Sequence, residues 1–219
     1  MSTPDESPAP PASAVADPGP LGLAAFALTT FLLSAVNAHW ATGSNSTTLA
    51  WLGYALGYGG LVQLLAGMCE FKNKNVFGAT AFSSYGGFWI GLYFYVKDVV
   101  IGAGAGAHGL LVHHDLGWIL LAFFIFNTYM MVISTQLNTA VFAVFLTLGL
   151  TELILSIANF TISAADVADG DTNALLKIGG YVGIITALTA WYTSMAGVMN
   201  GLKGKEVFPV GKPLVNIGG

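Results

Sequence analysis

The sequence predicts an all-α integral membrane protein built as a bundle of six transmembrane helices. Hydrophobic residues make up 55% of the 219-residue chain and charged residues only 8%, whereas charged residues form about a quarter of an average soluble domain. A water-soluble fold of this size could not bury so much apolar surface. Six apolar runs follow one another along the chain, and each is close to the length of about 20 residues that spans the hydrocarbon core as a helix.

The elements are predicted in the following order. Residues 1–20 are rich in Pro, Ser and Ala and lack the positive region that opens a secretory signal peptide, so we predict a disordered tail that ends in a Pro-rich helix start. The six-helix transmembrane domain is predicted over residues 21–200, and residues 201–219 form a cytoplasmic C-terminal tail. The predicted spans are residues 21–41, 48–69, 78–96, 117–133, 140–162 and 178–199.

The separator at residues 97–115 is long and Gly-rich, which predicts a flexible external or re-entrant loop. It closes with His113, His114 and Asp115, the sequence's only cluster of plausible catalytic bases or ligands. No nucleophile or further ligand is suitably spaced nearby, so a solvated loop explains the cluster better than an enzyme site does. We therefore predict neither an enzyme nor a metal or cofactor site.

The charged residues argue against one class of partner and predict how the chain is oriented in the membrane. The net charge is −4 and all seven cations are lysines without a basic cluster, which argues against a nucleic-acid partner. An even number of spans puts both termini on one side of the membrane. That side would hold more lysines, namely Lys72, Lys74, Lys203, Lys205 and Lys212, than the side with Lys97 and Lys177. The lysine bias predicts a multi-pass protein of the plasma (inner) membrane with both termini cytoplasmic.

Polar side chains recur at helical spacing inside the predicted spans, and two interpretations remain open for them. They can bridge helices, which contributes about 0.6 kcal/mol each, or they can face a water-filled pathway. Glu152 is a special case, since an ionised acid at mid-span costs about 2.5–3.5 kcal/mol on insertion scales. It is either a proton-accepting or water-facing site, or a protonated acid hydrogen-bonded between helices.

No arginine occurs in the chain and no lysine falls inside a predicted span. An anionic solute therefore has no fixed cation to pair with at mid-membrane. Hydroxyls, amides and helix N-termini could replace only part of its hydration, so any binding should be weak. Weak binding is typical of a channel-like pathway, which must release a solute as readily as it binds it.

Three passages resemble the acetate uptake transporter family, which includes the bacterial succinate-acetate permeases and the fungal acetate permeases. They are DPGPLGL at residues 17–23, GGLVQLLAGMCEF at 59–71 and FGATAFSSYGGFW at 77–89. The first is similar to the family signature NPAPLGL, with Asp17 and Gly19 in place of Asn and Ala. The resemblance is dense over residues 17–89 and weaker in the later helices.

The resemblance implies a six-helix protomer assembled as a homohexamer, with one pathway per protomer. It also implies a hydrophobic constriction that falls on Phe26, Tyr85 and Leu148, with Leu146 as the alternative to the last. Nearby polar positions are the predicted substrate-binding residues, which are Asn37, Gln63, Thr80, Ser83, Ser84, Glu152 and Asn159.

These observations lead to two functional hypotheses. The first is membrane transport of acetate, with succinate or other small carboxylates as further substrates, by a channel-like or a proton-coupled mechanism. The alternative is a membrane sensor or regulatory scaffold that responds to acetate without transporting it. Flux across a membrane distinguishes the two.

Overall fold

The computed structural model describes residues 15–41, 48–102, 105–168 and 173–216, and within these ranges the chain is helical and contains no strand. Most of the predicted N-terminal tail, residues 1–14, lies outside them. We number the helices α1 to α7. Their bounds are Gly19–Asn37, Ala50–Lys72, Val76–Phe94, Ala105–Ser134, Thr139–Thr161, Ala164–Ala168 and Ala174–Lys203. A π-helical turn, Gly57–Val62, lies within α2, and a π-helix, Tyr95–Ile101, continues α3.

Five of these helices are long and apolar enough to cross a membrane, namely α1, α2, α5, α7 and the segment Leu110–Ser134 of α4. The helix α3 has 19 residues but is not among the five. Its apolar residues are diluted by Gly, Ser, Thr and Tyr, which lower the mean hydropathy. The all-helical membrane architecture therefore stands, while the count of six spans stays a prediction.

The predicted loop over residues 97–115 is wrong, because the described part of this segment is helical except for a turn at Gly102. The π-helix runs to Ile101, and α4 begins at Ala105 and continues for 30 residues. Alanine is the best helix former and offsets part of the cost of the neighbouring glycines. The apolar residues from Leu110 onward then continue the run into the bundle.

The helix α1 begins at Gly19, two residues before the predicted span, with Pro18 preceding it and a proline in its first turn. Proline suits this position because its missing N–H would have no partner there. The carboxylate of Asp17 accepts a hydrogen bond from the Gly19 N–H at 2.9 Å. On the neighbouring helix, the hydroxyl of Ser194 donates to the carbonyl of Pro20 at 2.6 Å. The start of α1 is thus fixed against the C-terminal half of α7.

Two glycines allow α1 and α7 to cross closely. A Cβ atom on Gly180 would collide with the backbone of Asn37 and Ala38, and one on Gly183 would collide with the side chain of Ser34. Other glycines with helical spacing behave differently, because the Cβ positions of Gly53, Gly57, Gly87 and Gly91 face open space. These latter glycines make no helix contact within the protomer.

The C-terminal segment is held across the ends of the helices. The helix α7 runs to Lys203, beyond the predicted boundary at residue 200, and ends at Gly204 with a left-handed φ of 62°. Hydrogen bonds to α5, to α7 and to the turn after α4 anchor the segment that follows. The Tyr192 hydroxyl donates to the Pro209 carbonyl at 2.6 Å, the Ala140 N–H donates to Val210 at 2.9 Å, and the Leu214 N–H donates to Thr135 at 2.7 Å.

Candidate functional site

Three cavities follow one another between the helices and become smaller along the series. The wide cavity, of about 270 Å³, is lined by Asn37, His39, Trp51, His113 and Asn159, near the end of the bundle where α1 ends and α2 begins. The middle cavity, of about 50 Å³, includes Asn37 and Glu152, and the narrow cavity, of about 20 Å³, includes Gln63. The series therefore tapers from one end of the bundle toward its interior.

The side chains of Phe26, Tyr85 and Leu148 line both the middle and the narrow cavity. They come from α1, α3 and α5, and their exposed fractions are 4%, 3% and 7%. All three belong to one buried apolar cluster. Leu146, the alternative for the third position, is 38% exposed and lines none of the three cavities. The geometry thus brings the three residues of the predicted constriction together, with Leu148 rather than Leu146 on the inside.

Four of the predicted polar residues lie along the cavities. Asn37 lines the wide and the middle cavity, Asn159 the wide one, Glu152 the middle one and Gln63 the narrow one. Gln63 is 1% exposed, and its Oε1 has no hydrogen-bond partner. Hydrogen-bonding groups therefore stand on both sides of the apolar constriction.

The other three predicted polar residues, Thr80, Ser83 and Ser84, line none of these cavities. The Ser83 hydroxyl lies against Gly67 between α2 and α3. Thr80 and Ser84 share a helical face with the outward-facing Gly87. Helical spacing shows which residues share a face but not what that face contacts, so the assignment of these three to substrate contact stays a prediction.

Tyr85 is the centre of a buried polar network. Its hydroxyl lies 3.2 Å from Oδ1 of Asn127 and 3.2 Å from Oε1 of Glu152. Asn127 is fully buried, and its Nδ2 donates to the backbone carbonyl of Phe145 at 2.9 Å. The sequence analysis missed Asn127, although it is the one amide in the predicted fourth span and could have been identified on that basis.

Glu152 is 4% exposed, and its second oxygen, Oε2, has no hydrogen-bond partner. Across the described part of the chain, the one salt bridge joins Lys97 to Asp98 at 3.9 Å. Glu152 thus lies inside the bundle without a cation beside it. Its position at the middle cavity is compatible with both interpretations of this acid, a proton-accepting or water-facing site and a protonated acid hydrogen-bonded between helices.

Glu70 is a second buried acid, with 1% of its surface exposed and one oxygen, Oε2, without a partner. Glu70 was not among the predicted site residues, and it lies within α2, which continues to Lys72. A Cβ atom built on Gly19 would lie 3.6 Å from Oε1 of Glu70, and one built on Gly78 would lie 2.6 Å from it. Glu70 therefore lies where α2 meets the starts of α1 and α3, away from the three cavities.

The cluster His113, His114 and Asp115 does not converge on one point. Nδ1 of His113 lies 2.9 Å from the amide oxygen of Asn159, and Asp115 accepts a hydrogen bond from Tyr95 at 3.1 Å. The ring of His114 instead faces Phe160. The three side chains point in different directions, and only His113 lines the wide cavity.

Comparison with known proteins identifies similar sequences. The profile of the GPR1/FUN34/yaaH family matches residues 2–210. Acetate permease A of Emericella nidulans is 38% identical over 203 residues, which cover 89% of this chain and 65% of the permease. The chain thus spans slightly less than two thirds of this fungal relative. The succinate-acetate/proton symporter SatP of Escherichia coli is 32% identical over 200 residues, which cover 90% of this chain and 96% of the symporter.

Among solved structures, that of the bacterial acetate channel SatP is similar to this chain. The TM-score is 0.76 and the sequence identity is 29%. The superposition covers 90% of this chain and 99% of the channel. The similarity therefore extends over nearly the whole described bundle.

Proposed function

Because the chain belongs to the GPR1/FUN34/yaaH family, as the three sequence motifs had indicated, we propose that it transports acetate across the plasma membrane. The protein is a multi-pass membrane protein, and its relatives are named as an acetate permease and as an acetate symporter and channel. Succinate and other small carboxylates are proposed as further substrates. These names describe transport rather than an enzymatic reaction.

The observation that carries this proposal is the taper of the cavities to Phe26, Tyr85 and Leu148. A carboxylate must lose most of its hydration to pass an apolar ring, which is costly unless hydrogen bonds replace the water. Hydrogen-bonding side chains on both sides of the ring, from Asn37 to Gln63, can supply part of this replacement. A two-carbon acid fits such a narrow passage better than a larger solute does.

The absence of arginine from the chain supports low affinity. A fixed cation at the constriction would hold a carboxylate tightly and slow its release, whereas neutral donors permit both entry and exit. Channel-like flow of the anion and proton-coupled passage can both use these groups. We therefore propose the same residues for either mechanism.

Orientation and assembly form part of the proposal. Lys72, Lys74, Lys203 and Lys205 lie at the same end of the bundle as the start of α1, and the positive-inside rule then gives cytoplasmic termini. The wide cavity lies at the other end and would open to the outside. The outward-facing glycines of α2 and α3 would let neighbouring protomers approach closely, which supports a homohexamer with one pathway in each protomer.

The proposal can be tested with the purified protein in proteoliposomes that are loaded with buffer and exposed to radiolabelled acetate. We expect uptake above that of empty vesicles, and we expect unlabelled succinate to reduce it. Uptake no greater than in empty vesicles would refute transport. Acetate binding without uptake would instead favour a membrane sensor.

A further inference from the structure

The buried network around Tyr85 is short of one proton if Glu152 is ionised. The Tyr85 hydroxyl has a single proton to donate, but two acceptors lie 3.2 Å from it, Oδ1 of Asn127 and Oε1 of Glu152. The Asn127 amide cannot turn round to supply another donor, because its Nδ2 already donates to the Phe145 carbonyl. With an ionised Glu152, one buried acceptor is therefore left unpaired.

A protonated Glu152 removes this deficit. Its O–H then donates to the Tyr85 oxygen, Tyr85 donates to Asn127, and Asn127 donates to the Phe145 carbonyl. The remaining oxygen of Glu152, Oε2, has no partner. An unpaired carbonyl oxygen of a neutral acid is far less costly to bury than an unpaired oxygen of a carboxylate.

We propose that Glu152 is the proton-binding group of the constriction, and that a substrate carboxylate passes Tyr85 only while Glu152 carries a proton. This inference rests on the proposed transport function. A carboxylate at Tyr85 would lie beside Glu152, and two carboxylates repel strongly in a site that water does not screen. When Glu152 is neutral, the repulsion is gone and the Tyr85 hydroxyl can turn from Asn127 to the substrate.

The groups around Glu152 leave few other candidates for this role. In the described part of the bundle, α3 presents Tyr85, α4 presents Asn127 with Tyr129 nearby, and α1 lines the middle cavity with Thr30, Ser34 and Asn37. From α7, the Thr186 hydroxyl bonds the hydroxyl of Thr151, which precedes Glu152 in the chain. Two histidines of α4 also contact α5, His113 through Asn159 and His114 through Phe160.

The only covalent bond that forms or breaks at Glu152 is its O–H bond. On binding, a hydronium ion in the middle cavity transfers its proton to Oε1 of Glu152 and becomes water. On release, the O–H bond breaks and water takes the proton.

The test is a measurement of acetate current across a voltage-clamped bilayer at a fixed concentration of acetate anion while pH is varied equally on both sides. We expect the wild-type current to fall as pH rises, approaching about tenfold per pH unit for one released proton. For Glu152→Gln we expect a current that does not change with pH, because the glutamine amide donates to Tyr85 and stays neutral. Glu152→Leu serves the same purpose if the glutamine variant fails to assemble in detergent.

Two further measurements distinguish a proton on Glu152 from titration of a different group in the protein. In His113→Gln the acetate current is expected to fall as pH rises, as it does in the wild type, whatever the absolute size of the current. Infrared spectra at neutral pH are expected to show a protonated carboxyl band in the wild type that is missing in Glu152→Gln. An identical pH profile in the wild type and Glu152→Gln, or the same carboxyl band in both, would overturn the inference. Labelled-acetate uptake by wild-type proteoliposomes no greater than by empty vesicles would defeat the transport function itself, while the infrared comparison would still report the proton.

Discussion

The rings of Phe26 and Tyr85 meet edge to face, with centroids 5.9 Å apart and planes inclined by 62°. Tyr85 also packs against Phe123 and Phe126 of α4, at centroid distances of 5.7 and 5.5 Å. An aromatic pair of this kind contributes about 0.5–1.5 kcal/mol beyond its buried area. Tyr85 is thus held by several neighbours and by two hydrogen-bond acceptors, whereas Phe26, the proposed wall of the constriction, has no hydrogen-bonding side chain to lose.

Shortening Phe26 should widen the aperture between the middle and narrow cavities. For Phe26→Ala we expect severalfold faster uptake of three- and four-carbon monocarboxylates relative to acetate, because the lost ring no longer closes the passage. Competition by these acids against labelled acetate in proteoliposomes measures the change. Phe31→Ala is the matched control, since Phe31 lies on the same helix but contacts Trp40 and Trp191 instead. Equal selectivity in both variants would place the gate elsewhere.

Removing Asn127 should change the pH dependence of the current. In Asn127→Leu the single Tyr85 proton is free to bond an ionised Glu152. This bond stabilises the ionised form of Glu152, so the acetate current should begin to fall at a lower pH than in the wild type. A hydrogen bond to a charged group contributes about 1.5–3 kcal/mol and one pH unit corresponds to about 1.4 kcal/mol, so we expect a shift of about one to two pH units. The same bilayer recordings measure it.

Thr128→Val is the control for this change, because the Thr128 hydroxyl bonds the Phe124 carbonyl of its own helix at 2.7 Å and is exposed. Its pH profile should match that of the wild type. A shift of the Asn127→Leu profile toward higher pH would contradict the hydrogen-bond scheme.

The crossing of α1 and α7 should tolerate no added methyl group at Gly180. A Cβ there meets the backbone of Asn37 and Ala38, which cannot move aside as a flexible side chain can. We expect Gly180→Ala to destabilise the fold by about 1–3 kcal/mol, the usual cost of overpacking, and to lower the thermal midpoint in detergent. Gly201→Ala, on the same helix at a position with open space around it, should leave the midpoint within error. Equal midpoints would show that the helices can separate without loss.

The C-terminal segment should come loose when Asn200 is changed. Its side chain accepts hydrogen bonds from the N–H groups of Val207 and Phe208 at 2.7 and 3.0 Å and donates to the Phe208 carbonyl at 2.9 Å. Each such bond contributes about 0.5–1.5 kcal/mol. We expect Asn200→Ala to speed trypsin cleavage after Lys203 and Lys205 severalfold.

Asn200→Asp keeps the acceptor for both backbone N–H groups and loses only the donor. Its cleavage rate should therefore lie between those of the wild type and the alanine variant. Cleavage of Asn200→Ala at the wild-type rate would show that other contacts suffice to hold the segment.

The sequence predicted helices most accurately where a continuous apolar run follows a capping residue. Helix α5 spans Thr139–Thr161 against a predicted span of residues 140–162, and the Asn138 side chain caps it by accepting from the Val141 N–H at 2.9 Å. Helix α4 was predicted too short because its first turns are rich in glycine, and propensity alone favours a loop there.

At the candidate site, the convergence of Phe26, Tyr85 and Leu148 followed from the family resemblance rather than from spacing. Spacing could not identify Asn127, which is 42 residues from its partner Tyr85. Spacing also could not show which face of α3 lines the cavities and which face carries Thr80 and Ser84. Both distinctions depend on which helices pack together, and this is decided by the tertiary structure.

The wide cavity has a volume of about 270 Å³ and the narrow one about 20 Å³. This difference should make the protein sensitive to a blocking molecule from one side only. A branched or aromatic acid too bulky for the aperture can settle in the wide cavity, while the narrow cavity offers no room for it. Such a molecule should plug the protein from one face of the membrane only. A one-sided inhibitor could therefore report how the molecules are inserted in a vesicle.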